Sequence, residues 1–236
     1  MCTLESFAPG GVAVVIGASG GIGSALVSAL NETDRFKKVH GFSRRSPLAI
    51  DLADEASLKR AAEAATAEGE NRLVIDATGF LHQDGEGPEK SWRELDAQKL
   101  ATAFAINAIG PALLMKHFLP RLPRTGKTVF ATLSARVGSI GDNRLGGWYG
   151  YRASKAALNQ IVRTASVELA RRAPEAVCVA LHPGTVDTQL SVPFAKQGLD
   201  LHGPDAAAAN MLTVLDRLKA EDSGGFFDWQ GAAVPW

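Results

Sequence analysis

Cysteine is scarce in this chain: the 236 residues hold two, Cys2 and Cys178. Cys2 stands at the start and Cys178 inside an apolar run. No disulfide framework is expected, and a reducing, cytoplasmic compartment fits. His82, His117, His182 and His202 are scattered without Cys/His ligand spacing, so no metal site is expected. Neither sign of charge is in excess, since Lys+Arg and Asp+Glu both number 25. That balance gives no electrostatic basis for a nucleic-acid or anionic-membrane partner. No apolar run approaches the roughly 20 residues that span a bilayer. The stretch Met1 to Gly11 includes Glu5 and lacks the basic-then-apolar order of a secretion signal. No linker, repeat or low-complexity block interrupts the chain, so residues 1–236 read as a single domain.

What the chain does have is a regular alternation. Val12 to Ile16 is a short continuous apolar run ending at glycine, the pattern of a strand buried on both faces of a parallel sheet. Ser24 to Leu30 then carries apolar residues at helical spacing. Strand-like runs recur at Lys38 to Phe42, Leu73 to Ala77, Thr128 to Leu133, Val177 to Leu181 and Gly225 to Asp228. Helical stretches fall at Glu55 to Glu68, Asp96 to Leu119, Tyr151 to Arg172 and Pro204 to Leu218. This order predicts an α/β fold: one doubly wound Rossmann-type domain, a parallel sheet of about seven strands with helices on both faces. Two long stretches, Gly79 to Ser91 and Thr188 to Gly203, lack periodicity. In such sheets, loops beyond the strand carboxyl ends build the ligand site.

The first such loop is glycine-rich. Gly17-Ala18-Ser19-Gly20-Gly21-Ile22-Gly23 joins the first strand to the first helix. Gly17 permits a tight turn, and Gly21 and Gly23 let backbone approach a phosphate. The helix N-terminus then offers unpaired N–H groups and partial positive charge to a pyrophosphate. The spacing is G-x-x-x-G-x-G, and a plain tight turn is the competing reading. The second strand ends in Ser43-Arg44-Arg45 where NAD-binding sites commonly carry an acid. Two guanidinium groups and a hydroxyl suit a 2′-phosphate, so NADP(H) is preferred and NAD(H) is possible. A solvated basic turn is the simpler alternative. Asp51 and Leu52 follow, with two readings for the carboxylate: flanking an adenine, or capping the next helix.

Tyr151 and Lys155 lie four apart, on one face of a predicted helix. A free phenol titrates near ~10, and a nearby ammonium favours phenolate, so the pair suits general acid/base chemistry. At this spacing alone it equally fits an ordinary helix surface. Ser134 ends the Thr128–Leu133 strand, where its hydroxyl could hold a substrate oxygen or simply begin a turn. Asn107 sits inside a long helix, which asparagine disfavours. It could organise a proton relay, or merely distort the helix.

Taken together, the glycine turn, Asn107, Ser134 and Tyr151-x-x-x-Lys155 occur in the order found in the short-chain dehydrogenase/reductase family, which the chain resembles over nearly its whole length. Pro183-Gly184-Thr185-Val186-Asp187-Thr188 is similar to that family's segment beside the nicotinamide amide. Gly146 through Asn159 and the ending Trp229-Gln230-Gly231 through Pro235-Trp236 resemble the C-factor-like branch. The resemblance implies that Tyr151 exchanges a proton with the substrate oxygen. Lys155 would bond the nicotinamide ribose and lower the Tyr151 pKa, Ser134 would polarise the carbonyl, and Asn107 would support a water-linked proton path. It implies cofactor contacts at Gly17, Ser19, Gly20, Gly21, Ile22 and Gly23, and at Ala77, Thr78 and Gly79. Further contacts are implied at Asn107, Tyr151 and Lys155, and at Pro183, Gly184, Val186 and Thr188.

One departure stands out: the family often has Asn-Asn-Ala-Gly where this chain has Asp76-Ala77-Thr78-Gly79. The implied function is carbonyl reduction or alcohol oxidation on a small-molecule substrate, by a homodimer or homotetramer. Gly138 to Gly147 is expected to border the substrate pocket. Leu190, Val192, Phe194 and Leu199 are candidates for a lid over it. The C-factor-like resemblance supplies an alternative, a dinucleotide-binding signalling protein with little turnover. An isomerase or dehydratase using bound cofactor is a third reading.

Overall fold

The computed structural model describes residues 3–82, 87–188 and 201–236. Six strands form one parallel sheet: β1 (Gly11–Ile16), β2 (Phe36–Phe42), β3 (Asn71–Asp76), β4 (Thr128–Leu133), β5 (Ala176–His182) and β8 (Phe226–Asp228). Their order across the sheet is β2-β1-β3-β4-β5-β8. The direction of winding reverses between β1 and β3, the position that marks the ligand crevice in doubly wound sheets. Against the expected seven, six strands belong to this sheet among the described residues. A two-stranded parallel ribbon, β6 (Thr185–Val186) with β7 (Leu201–His202), lies apart from it.

The apolar runs became strands because both of their faces are covered. Along β1, Ala13 and Val15 enter one core while Val12, Val14 and Ile16 enter the other. β4 and β5 divide in the same way. One core holds α1 (Gly21–Asn31) and α6 (Pro204–Arg217); the other holds α2 (Glu55–Ala67), α4 (Gly110–Phe118) and α5 (Tyr149–Arg172).

The helix expected over Asp96 to Leu119 is divided. It comprises α3 (Ala97–Phe104), a π-turn at Ala105–Ile109 and then α4. By length and composition the helical stretch Ala97–Arg121 is apolar enough to cross a membrane, although it holds no continuous apolar run of that length. Half of its most apolar window is buried in this protein. Ala103, Ala108, Leu114, Met115 and Phe118 supply that buried face. The π-turn places Asn107 within it, 1% exposed. Extra-residue turns of this kind are frequent at functional sites.

Candidate active site

The glycine turn is built by close approach. Gly17 has φ +84°, and a Cβ there would lie 2.9 Å from the Ala77 carbonyl oxygen. A Cβ on Gly23 would come within 2.1 Å of the Gly17 carbonyl oxygen. The Gly17 and Ala18 N–H groups donate to the Phe42 carbonyl at 2.8 and 3.0 Å, and the Ala77 N–H donates to Ile16 at 2.8 Å. These bonds hold the turn against the ends of β2 and β3. Gly20 stands at the N-cap of α1 and supplies no side-chain cap, so the first N–H groups of the helix face the exposed turn Ser19–Gly21. Thr188 brackets the turn from the far side, since a Cβ on Gly21 would sit 3.0 Å from the Thr188 methyl.

Arg44 and Arg45 are exposed just past β2, and neither has an ion pair among the described residues. Ser43 shapes their turn: its hydroxyl accepts from the Arg45 N–H at 3.1 Å. The open question at Asp51 is resolved locally. Asp54 caps α2 by accepting from the Ala56 N–H, while Asp51 accepts from the Ala53 N–H at 2.9 Å and remains exposed. The capping role therefore belongs to Asp54. Leu52 packs against the apolar core beside α2.

At Asp76, the departure from Asn-Asn-Ala-Gly becomes a buried acceptor. Its carboxylate takes bonds from the Thr78 N–H and hydroxyl at 3.0 and 2.6 Å, and from the Thr132 hydroxyl at 2.7 Å. Burial pushes its carboxyl pKa up, opposed by those bonds and by the charge of Lys155.

Lys155 is 2% exposed and donates to the Leu133 carbonyl at 2.6 Å. Burial brings its ammonium down to about 8, against the pull of Asp76. Its nitrogen lies 5.9 Å from the centroid of the Tyr151 ring. The sequence led us to expect a depressed Tyr151 pKa. In this structure burial instead pushes the phenol up to about 12. The ammonium is committed to Leu133 and sits over the ring, so desolvation dominates.

Ser134, 3% exposed, donates its hydroxyl to Asn159 Oδ1 at 2.7 Å. The Asn107 side chain is fully engaged. Its Oδ1 accepts from the Phe80 N–H at 2.8 Å, and Nδ2 donates to the Phe80 carbonyl at 2.8 Å and to the Ser154 hydroxyl at 3.1 Å. It ties the stretch after β3 to α5.

Three residues near the site escaped sequence reasoning. Asn159 follows Lys155 by one helical turn. Glu89 accepts from the Gly150 N–H at 3.2 Å, at the start of α5. Arg152 donates to the carbonyls of Gly147, Val137 and Gly146 at 3.0, 3.2 and 3.3 Å. These bonds hold Gly146, Gly147 and Trp148 in three successive left-handed conformations, with φ +64°, +64° and +54°. The Trp148 ring packs edge-on to Tyr151 at 6.2 Å. Only local signals such as Gly146-Gly147 were readable beforehand.

A cavity of about 350 Å³ reaches Tyr151. Its walls come from the stretch after β3 and from α3, including Phe80, His82, Glu89 and Thr102. None comes from residues 138–147, where Ile140 and Leu145 point outward at 78% and 89% exposure. The lid candidates Leu190, Val192, Phe194 and Leu199, like Cys2, fall outside the described residues.

A family model described as enoyl-(acyl carrier protein) reductase matches residues 17–214. The chain belongs to the short-chain dehydrogenase/reductase family. Among curated relatives, C-signal of Myxococcus xanthus is 43% identical over 143 residues, covering 61% of this chain and 82% of that protein. The 1-hydroxy-2-glutathionyl-2-methyl-3-butene dehydrogenase of Rhodococcus sp. is 31% identical over 189 residues, 79% of this chain and 78% of that one. The NADPH-bound carbonyl reductase from chicken fatty liver superposes with a TM-score of 0.85 at 25% identity, covering 98% of this chain and 96% of that chain. A carbonyl reductase from Pseudomonas aeruginosa PAO1 gives 0.77 at 26% identity, covering 96% and 100%.

The close approach at Gly23 carries a prediction. Gly23→Ala should cost about 2–3 kcal/mol or more, as overpacking against backbone does. Gly20→Ala has its Cβ at an ordinary 3.4 Å from the nearest atom and should cost about 1 kcal/mol or less. Chemical denaturation of the two variants reads the difference.

Proposed function

We propose that this protein is an NADP(H)-dependent oxidoreductase acting between a carbonyl and a secondary alcohol, with Tyr151 as general acid/base. The observation that carries this reading is the convergence of Ser134, Tyr151 and Lys155 at the end of β4, on the sheet edge that also bears the uncapped glycine turn. When bound, the nicotinamide supplies or accepts the hydride. The residues present fit such a group. Gly17, Ser19, Gly20, Gly21, Ile22 and Gly23 would receive the pyrophosphate. Ser43, Arg44 and Arg45 would hold the 2′-phosphate, and Asp51 and Leu52 would flank the adenine. Ala77, Thr78 and Gly79 would line the ribose side, with Lys155 bonding that ribose. Pro183, Gly184, Val186 and Thr188 would meet the nicotinamide amide. The similarity to an NADPH-bound carbonyl reductase supports the choice of cofactor.

Within the chain, Ser134 would polarise the substrate oxygen and Tyr151 would deliver a proton to it. Because the Asn107 side chain is spent on Phe80 and Ser154, its part in a proton path would run through main-chain groups of the π-turn. Burial keeps Tyr151 protonated through neutral pH, the state that donates to a carbonyl oxygen. The sign is then fixed: a phenol with a raised pKa donates below it and accepts above it. Alcohol oxidation should therefore rise with pH through the alkaline range while carbonyl reduction falls. Tyr151→Phe should lower kcat by about 10²–10⁴-fold, the usual contribution of a positioned acid. Activity of that variant near the parent's on a ketone, aldehyde and quinone panel would remove the acid role.

The exposed Arg44 and Arg45 give a separate test. Replacing both with alanine should weaken NADPH binding at least tenfold more than NADH binding, as loss of charge-assisted phosphate bonds requires. Equal weakening of both cofactors would refute the phosphate contact. We further expect a cytoplasmic homodimer or homotetramer, supported by Ile109 and Val167, which stand half-exposed on the π-turn and α5. Light scattering should return a multiple of 24.9 kDa, and a monomer would end that reading. The C-signal relative favours a second reading, a dinucleotide-binding signalling protein. Cofactor binding without turnover of any carbonyl would select it.

A further inference from the structure

Asn159 is 2% exposed and lies on α5 one turn beyond Lys155. Its Oδ1 accepts the Ser134 hydroxyl at 2.7 Å, while its Nδ2 is buried with no hydrogen-bond partner among the described residues. A buried amide donor left unsatisfied is unfavourable. The two ends of an amide have nearly the same shape, so a half-turn about the terminal bond needs no repacking. That half-turn brings Nδ2 to the Ser134 oxygen and satisfies it. It also releases the Ser134 proton.

We propose that Asn159 is a positioning residue that sets the direction of the Ser134 hydroxyl, through an amide able to present either an acceptor or a donor to it. With Oδ1 toward Ser134, the serine proton is held back and its lone pairs face the site, which suits an alcohol hydroxyl. With Nδ2 toward Ser134, the serine proton is free for a carbonyl oxygen. One side chain thus matches the serine to both oxidation states of a substrate. No bond is made or broken at Asn159. The inference rests on the reading above, in which Ser134 contacts the reacting oxygen.

The test is an order of severity. Asn159→Asp keeps the shape but can only accept when ionised, so it pins the Ser134 proton. Asn159→Ala removes both polarities and leaves room for water. The aspartate variant should lower kcat/KM for carbonyl reduction by about tenfold or more, and the alanine variant by less, with the NADPH dissociation constant within about twofold of the parent in both. In a Ser134→Ala background the aspartate substitution should change kcat/KM by less than about twofold, because the hydroxyl it acts through is gone. A packing role predicts the opposite order, with alanine worse, and equal losses in both backgrounds; either result overturns the proposal. A readout without turnover separates this inference from the oxidoreductase reading. The Asn159 side-chain amide resonance, assigned by its loss in Asn159→Asp, should shift in Ser134→Ala. An unmoved resonance overturns the pairing even in an active enzyme, and a moved one supports it even if no carbonyl is reduced.

Discussion

Two adjacent hydrogen bonds at the end of β4 set the geometry of the site. Leu133 receives the Lys155 ammonium at 2.6 Å, and Ser134 gives its hydroxyl to Asn159 at 2.7 Å. Lys155 and Asn159 are four residues apart, so the last residue of β4 and the one after it are matched to two consecutive turns of α5. With Leu158, Val162 and Leu169 buried in the core beneath α5, the two bonds fix which residues of the helix meet the end of the strand. A slip of one residue along α5 would turn every side chain by about 100°. Tyr151 would then leave the sheet edge and Lys155 would lose its carbonyl. The place of the tyrosine follows from its neighbours.

Burial works against charge throughout this region. It raises Asp76, lowers Lys155 to about 8 and raises Tyr151 to about 12. The Asp76 carboxylate and the Lys155 ammonium each offset part of the other's desolvation. An apolar residue of similar volume would be easier to bury than a lysine. No apolar residue would bring a cation to within 5.9 Å of a phenol ring. The substitution of Asp76 for the family's asparagine belongs to the same arrangement. It supplies negative charge to the buried lysine, and its remaining lone pairs are taken by Thr78 and Thr132.

What the sequence made legible was set by local pattern. The glycines at 17, 21 and 23 and the β-branched strand runs announce themselves, because turn conformation and two-sided burial constrain residue type at fixed spacing. Tyr151 and Lys155 were readable as a pair for the same reason. Asn159, Glu89 and Arg152 were not, since their partners lie at distant positions in the chain, and nothing about an asparagine eight residues after a tyrosine signals a serine at the end of a strand. Asp51 was legible as a candidate cap for the next helix, and the backbone places Asp54 there instead. The expected drop in the Tyr151 pKa failed because proximity in sequence does not say where an ammonium points. The apolar character of the helical stretch Ala97–Arg121 is not legible as a run because polar residues interrupt it.

The entry to α5 shows why these distant contacts matter. Gly146, Gly147 and Trp148 form three left-handed residues in succession. Glycine adopts that conformation readily, but tryptophan does so at about 1–2 kcal/mol. The strain persists because Arg152 bonds the carbonyls of Gly146 and Gly147, and the Trp148 N–H is taken by the Glu89 carbonyl. Arg152 sits on α5 itself, directly after Tyr151. The register that seats Lys155 on Leu133 therefore also places Arg152 beneath the turn. The strained entry and the bonds at the β4 end are two ends of one restraint. Loosening the turn would let the helix start shift, and shifting the helix would withdraw the arginine that holds the turn.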